Sequence, residues 1–150
     1  MRDPVLSQEE RSFLADARRA VLATISPDGR PRLVPICFAL HPKRPALYTP
    51  IDAKPKQIDD PKELARVRDI LADSRVTVLV DRWDEGWSRL AWLRCKGQAT
   101  LLDPETTEHA RAVRGLRARY PQYATHRLED RPIIRVTIER TTSWGALAIP

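Results

Sequence analysis

Four basic side chains in the middle of the sequence have the types and spacing of a phosphate-binding site. Lys54 and Lys56 flank a proline in a polar loop, and Arg66 and Arg68 follow in a stretch with helical periodicity. Phosphate oxygens are held where several N–H donors and positive charges converge on one point. The pattern therefore predicts an anion-binding site built from the loop and the helix.

The charge distribution favours a small anion over a polyanion. The chain has a net charge of +6 and a pI of about 9.8, which by itself permits binding to a nucleic acid. Between residues 52 and 75, however, six basic side chains meet six acidic ones. A basic cluster inside a neutral segment suits a compact ligand, so we expect a small-molecule partner and no nucleic acid.

The sequence offers little to other kinds of catalytic site. His41, His109 and His126 are isolated and lack the spacing of metal ligands, so we expect structural or surface roles for them and no metal site. With five glycines in the chain, no glycine-rich phosphate loop is present, and no serine lies in a nucleophile elbow. Cys37 and Cys95 lie in strand-like runs and are expected to be reduced and buried.

Length and composition indicate one globular domain over residues 1–150. No apolar run approaches the about 18 residues of a membrane-spanning helix. The start, Met1-Arg2-Asp3-Pro4, lacks the apolar core of a secretion signal. We therefore expect a cytoplasmic protein with no membrane partner.

Hydrophobic periodicity and turn residues predict about six strands and three helices. A capping box of Ser7 and Glu10 starts the first helix, and the turn 26–29 closes a hairpin. Pro31 and Pro35 cannot donate to a ladder, so the second strand is predicted to lie at an edge, or to be bent or bulged. The predicted strands are Ala20–Ser26, Arg30–Leu40, Ala46–Thr49, Arg75–Asp81, Ser88–Leu102 and Ile133–Arg140, with Ser143–Leu147 a candidate for one more; the later helices are predicted to begin at Pro61 and at Asp103. This order predicts a small, mainly β fold: an antiparallel barrel with helices packed outside.

The long predicted strand has one ordinary face and one unusual face. Leu93 and Cys95 lie on a continuous core face, whereas the opposite face presents Trp92, Arg94 and Lys96. A large aromatic side chain beside two cations is not a usual core arrangement. We expect this face to be covered by a second subunit, by a ligand or by both.

Several of these stretches resemble the pyridoxamine 5′-phosphate oxidase-like split barrels. The hairpin 21–31 and the following Val34-Pro35 resemble the opening strands of that family. The succession Lys54-Pro55-Lys56, Arg66–Ile70, Val76–Asp81 and Trp87–Trp92 is similar to its flavin/deazaflavin oxidoreductase branch, whose members are described as probable F420-dependent enzymes. The resemblance extends roughly from Leu6 to Trp144.

The resemblance implies a six-stranded antiparallel split β-barrel that forms a homodimer, with the cofactor at the subunit interface. It implies that the cofactor phosphate is held by Lys54, Lys56, Arg66 and Arg68. It also implies that the backbone of Tyr48, Thr49 and Pro50 lies against the ring of coenzyme F420 or FMN. Trp87 and Trp92 would then shape the pocket wall.

One position departs from the family pattern. Relatives often carry asparagine where this chain has Asp69. An additional carboxylate beside a phosphate is unfavourable. Asp69 must therefore point away from the anion, or the anion is held less tightly than in relatives.

Three functional hypotheses follow. The first is an F420-dependent oxidoreductase that transfers a hydride to a small organic acceptor, with Tyr48 a candidate proton donor. The second is an FMN-dependent enzyme of the same fold, and the third is a non-catalytic flavin- or deazaflavin-binding protein. Each group of residues also has a simpler interpretation. Arg66 and Arg68 would lie on a solvated helix face, paired with Glu63, Asp69 and Asp73. The loop lysines would only aid solubility, and the tryptophans would belong to the core or to a dimer interface.

Overall fold

The computed structural model describes residues 4–51 and 64–149. In these segments the chain forms three α-helices and seven β-strands. The helices are α1 (Gln8–Asp16), α2 (Ala65–Ala72) and α3 (Thr107–Arg119); the strands are β1 (Ala20–Ile25), β2 (Pro31–Ile36), β3 (Ala39–Leu40), β4 (Ala46–Pro50), β5 (Arg75–Arg82), β6 (Ala91–Leu102) and β7 (Ile133–Gly145). Short 3-10 turns cover Trp87–Arg89 and Pro121–Ala124.

The strands form one antiparallel sheet in the order β2-β1-β5-β6-β7-β4-β3. Its two edge strands, β2 and β3, are joined by only Cys37 and Phe38, so the sheet must curl to bring its edges together. The result is the half-barrel of a split barrel, which confirms the predicted fold. Because Pro31 and Pro35 lie on β2, their predicted place on an edge strand is also confirmed.

The seventh strand arises because the predicted strand Arg30–Leu40 is interrupted. The backbone N–H of Phe38 donates to the Tyr120 hydroxyl at 3.1 Å, and that hydroxyl donates to the Phe38 carbonyl at 3.0 Å. Both backbone groups are therefore satisfied by a side chain instead of a strand. Tyr120 follows Phe38 by 82 positions, so local sequence gave no sign of the break.

Three other predicted boundaries are wrong. β6 begins at Ala91, not Ser88, because a 3-10 turn precedes it, and α3 begins at Thr107, not Asp103, with the Thr106 hydroxyl as its cap. β7 runs without a break to Gly145, so most of the separate strand at Ser143–Leu147 belongs to it. Gly145 has a φ of +87°, and a Cβ there would collide with the Leu90 carbonyl oxygen. The predicted start of the second helix, Pro61, lies outside the described residues.

The core consists of two apolar clusters on either side of β4. The larger cluster lies inside the curled sheet, where α1 and α2 add Leu14, Val67 and Ile70 to the inner faces of the central strands. The second is formed where α3 packs on β3 and β4 through Leu116 and Tyr48. The three described helices thus pack on the barrel, and none of them covers the outer faces of β1, β5 and β6.

Local predictions can be checked residue by residue. The Ser7–Glu10 capping box is present, with bonds of 3.0 and 2.8 Å. Both cysteines are free thiols, but only Cys95 is buried, since Cys37 is half-exposed at the sheet edge. Within the described segments, no helix has the length and apolar character needed to cross a membrane.

Candidate functional site

The described half of the predicted phosphate site lies on α2. Val67 and Ile70 fix the helix by packing into the core, which leaves Arg68 exposed and Arg66 half-buried. Lys54 and Lys56 lie outside the described residues. The geometry available for the anion site is therefore that of the two arginines and their surroundings.

Asp69 points away from the solvent side of α2 and into the sheet. Its Oδ2 accepts a bond of 2.7 Å from the Thr24 hydroxyl on β1 and another of 2.7 Å from Arg32 Nε on β2. The side chain is only 2% exposed. The carboxylate is thus paired within the fold and turned from the solvent, as the first of the two alternatives for this position requires.

The ionisation of Asp69 follows from these contacts. Burial raises its pKa. The hydrogen bonds from Arg32 and Thr24 and the charges of Arg32 and Arg68 lower the pKa by more than burial raises it, so it lies below the ordinary value. The carboxylate stays ionised near neutral pH and is compensated by Arg32. Its negative charge is therefore balanced within the fold.

A second acidic residue near α2 is also engaged elsewhere. Asp73 binds Arg75 at 2.8 Å, and the hydrogen bonds from Arg75 lower the Asp73 pKa to about 2. Asp69 and Asp73 thus each have another arginine as hydrogen-bond partner, and Arg68 interacts with Asp69 through its charge. Glu63 lies outside the described residues.

A shallow groove of about 420 Å³ lies next to this network, at the ends of β1 and β5 and across β6. Thr24 links it to Asp69. Lys96, Glu139 and Arg75, which is paired with Asp73, are the charged residues that line it. Sequence reasoning missed Thr24 and Arg32. A threonine on the core-facing side of β1 was the available signal, since a buried hydroxyl requires a partner.

The predicted ring-supporting strand is closed in the single chain. Tyr48, Thr49 and Pro50 are all buried in β4. The Tyr48 hydroxyl donates to Glu108 Oε2 at 2.7 Å, and Glu108 Oε1 accepts from Arg135 at 2.8 Å. Burial and this bond raise the Tyr48 pKa. Its proton is therefore held by α3, and β4 offers little open surface to a ring.

The predicted pocket-wall tryptophans lie at the other end of the sheet. Trp92 is half-buried on the outer face of β6, with the Arg94 guanidinium carbon 5.3 Å from its ring centroid. It pairs across the ladder with Trp144 of β7. Trp87 is largely exposed on the 3-10 turn just before β6.

One chain does not bring the two groups of predicted residues together. Trp92 lies opposite Asp81 near the end of β5, whereas α2 leads into Arg75 at the start of that strand. Six residues of extended chain span about 20 Å. Residues at both ends contact one cofactor only if the ligand is long or if two subunits contribute.

The histidines have structural partners, as predicted. His109 is buried with its Nε2 2.6 Å from the Arg131 carbonyl oxygen, and His126 packs edge-on against Tyr123. His41 Nδ1 accepts two backbone N–H bonds. In the described part of the chain, no group of three or more potential ligands could hold a metal ion.

Comparison with known proteins defines the family. The family model for pyridoxamine 5′-phosphate oxidase matches residues 6–145. The chain therefore belongs to the pyridoxamine 5′-phosphate oxidase family, and its fold is the flavin-binding split barrel of that family. The resemblance inferred from the sequence is confirmed at this level.

Solved structures show the same fold at low sequence identity. The conserved hypothetical protein Rv2991 from Mycobacterium tuberculosis is 24% identical, with a TM-score of 0.72 over 100% of this chain and 92% of that one. A FAD-binding protein from Mesorhizobium loti is 22% identical, with a TM-score of 0.66 and 92% of each chain covered. The heme storage protein HutZ from Vibrio cholerae is 14% identical, with a TM-score of 0.68 over 93% of this chain and 94% of that one.

Proposed function

We propose that this protein is a homodimeric oxidoreductase that uses coenzyme F420, with FMN as the alternative cofactor. Membership of the flavin-binding family supports the class. The observation that carries the proposal is the outer face of the sheet, where aromatic and cationic side chains are left uncovered by any described helix.

The uncovered face is formed by outward-pointing side chains on the five neighbouring strands from β2 to β7. Leu33 on β2 is 64% exposed and Trp144 on β7 is 54% exposed, with Leu79 between them on β5. Large apolar side chains grouped on one face usually mark an interaction surface. We expect a second copy of the chain to cover this face.

A two-fold axis through this face would also resolve the 20 Å separation. It would place the tryptophan end of one subunit near the opposite end of its partner's sheet, where Lys96 lies and where α2 leads into β5. Each cofactor would then contact both subunits. Trp87 and Trp92 would wall the pocket whose anion grip comes from the other chain.

The residues present fit an anionic cofactor. Arg66 and Arg68 are positioned on α2, and Asp69, the acid beside them, is compensated by Arg32. We expect Lys54 and Lys56 to complete the grip on the phosphate. The resemblance also assigns the backbone of Tyr48, Thr49 and Pro50 to the ring, whereas these residues are buried in the single chain. When bound, the reduced cofactor supplies the hydride itself, so this chain needs to bind, orient and exclude water.

The preference for F420 rests on the length of the basic surface. Arg94 and Lys96 are both exposed on β6, and Lys96 pairs across the ladder with exposed Arg140. A cofactor with a polyanionic tail gains from such an extended row of cations, whereas FMN needs one phosphate grip. The same face would serve FMN with fewer contacts.

Titrations of the wild-type protein with F420 and with FMN, followed by cofactor fluorescence, test the proposal. Micromolar F420 binding with much weaker FMN binding supports it, and oxidation of reduced F420 by an added quinone or enone then establishes catalysis. Tighter FMN binding favours the alternative. Tight F420 binding with no turnover of any acceptor would indicate a carrier, and no binding of either cofactor would refute the proposal.

A further inference from the structure

A large cleft lies on the side of the barrel away from the outer face described above. It opens between the turn that connects β3 to β4 and the N-terminal half of α3, and its volume is about 770 Å³. Pockets for small ligands in proteins have volumes of about 300–1,000 Å³. We call this space the α3 cleft.

The floor of the α3 cleft is apolar and made by small side chains. Ala39 and Leu40 of β3 face Ala112 and Gly115 of α3 across it. A Cβ on Gly115 would stand 3.8 Å from the Ala39 Cβ, an ordinary contact, whereas a longer side chain there would extend into the space. The floor thus suits a flat apolar group.

The rim of the cleft is positively charged. Lys43 and Arg44 line it from the turn, and Arg111 and Arg114 line it from α3. All four are exposed, and none forms an ion pair with a carboxylate of residues 4–51 or 64–149. Four cations around one opening, none of them in an ion pair within these segments, create a field that attracts an anion.

Among the described residues that line the cleft, Glu108 is the one carboxylate, and it is paired within the fold. It accepts hydrogen bonds from the Tyr48 hydroxyl and from Arg135, at 2.7 and 2.8 Å. Burial raises the Glu108 pKa, but the bond from Tyr48 and the charges of Arg135 and Arg44 lower it by more, so the carboxylate stays ionised. Arg135 balances most of its charge, and four rim cations face this single carboxylate.

The turn that carries two of the cations is held in place before any ligand arrives. His41 Nδ1 accepts the backbone N–H groups of Lys43 and Arg44 at 3.0 and 2.9 Å. The Arg11 guanidinium binds the carbonyl oxygens of His41, Lys43 and Arg44. Such preorganisation reduces the ordering cost of binding.

The His41 ring also experiences the positive field. Burial is the largest cause that lowers its pKa. The charges of Arg44, Arg11 and Arg111 also lower the pKa, whereas the charge of Glu108 raises it. The ring is therefore neutral near pH 7. With Nδ1 accepting, the tautomer carries its proton on Nε2, which is available to donate a hydrogen bond.

From these observations we infer that the α3 cleft binds a small organic anion: a flat apolar body that lies on the Ala39–Gly115 floor and a phosphate or carboxylate group that is held by the cationic rim. This site lies apart from the proposed anion grip on α2 and from the outer sheet face, and it shares only Tyr48, which lines the cleft, with the proposed cofactor site. Its ligand binds with or without F420.

The test compares 1-naphthyl phosphate with uncharged 1-naphthol, using backbone amide chemical shifts of the wild-type protein. We expect the phosphate to shift the amides of residues 39–48 and 107–115 and to bind at least about tenfold more tightly than the naphthol, the difference one charge-assisted hydrogen bond provides. Gly115→Leu should abolish binding by filling the floor, and Arg44→Ala/Arg111→Ala should weaken it about tenfold or more. Arg19→Ala, which removes an exposed arginine outside the cleft, should leave affinity unchanged.

Several results would overturn the inference. Shifts confined to β1, β5 and β6 would place the anion on the outer face. Equal affinities for the phosphate and the naphthol would show that the rim contributes nothing. An unchanged affinity in well-folded Gly115→Leu would show that the floor is not occupied. If that variant does not fold, the comparison of phosphate with naphthol on the wild-type protein tests the inference.

Discussion

The Asp69 carboxylate and the Arg32 guanidinium lie 2.7 Å apart and join α2 to the edge strand β2. The pair crosses 37 positions of sequence and is completed by the Thr24 hydroxyl of β1. It holds the helix that carries Arg66 and Arg68 against the hairpin. The acid that would be unfavourable beside an anion therefore serves to anchor α2.

Removing Arg32 should destabilise the fold. In Arg32→Ala the buried Asp69 carboxylate keeps only Thr24, which we expect to cost about 1–3 kcal/mol of unfolding free energy. Asp69→Asn should cost less, because an amide needs no counter-ion. Urea unfolding of the single variants and of the double variant measures the coupling, and additive effects would show that the pair contributes nothing.

The pH dependence of stability should report on Asp69. Its folded-state pKa lies below the unfolded value of about 3.9, so its ionised form stabilises the fold fully above that pH. This contribution is lost as the pH falls from about 4 through the folded-state pKa. The difference in melting temperature between wild type and Asp69→Asn should therefore be largest at pH 7 and should shrink below pH 4. A constant difference from pH 7 to pH 3 would contradict this assignment.

The outer face should control dimer formation. Leu79→Glu places a charge at the centre of the face and should yield monomers in analytical ultracentrifugation. Val5→Glu is a matched control, because Val5 is 38% exposed and Leu79 is 39% exposed, but Val5 lies before α1. Wild-type protein that is monomeric at micromolar concentration, or dimeric Leu79→Glu, would exclude this interface.

Replacing Tyr48 tests whether its hydroxyl donates a proton in the proposed reaction. Tyr48→Phe removes the bond to Glu108 and should cost about 1 kcal/mol of stability. Since the phenol proton is already committed to that carboxylate and its pKa is raised, the hydride-transfer rate should change little. A large fall in kcat with unchanged cofactor affinity would instead identify Tyr48 as the proton donor.

Local signals in the sequence were sufficient for most elements of the fold. Prolines at positions 31 and 35 indicated the edge strand, and the alternation around Leu93 and Cys95 indicated the core face of β6. The features that the sequence did not predict depend on partners that are distant in sequence. The break at Phe38 requires Tyr120, and the role of Asp69 requires Arg32.

The site was less predictable for the same reason. The sequence predicted Arg66 and Trp92 in one pocket, but α2 lies near the start of β5 and Trp92 near its end, so most of the length of β5 lies between them. The burial of Tyr48 also depends on α3, which follows β4 only after two further strands. A site shared between subunits cannot be assembled from the pattern of one chain.

The most direct test of the proposed function is a fluorescence titration of F420 with Lys54→Ala/Arg66→Ala beside wild type and Arg19→Ala. Removing two charges from the proposed phosphate grip should weaken F420 binding by at least about a hundredfold, about 1.4 kcal/mol per charge, whereas Arg19→Ala should bind as wild type does. Unchanged affinity in a well-folded double variant would contradict the account, because the basic loop and helix would then be only a solvated surface.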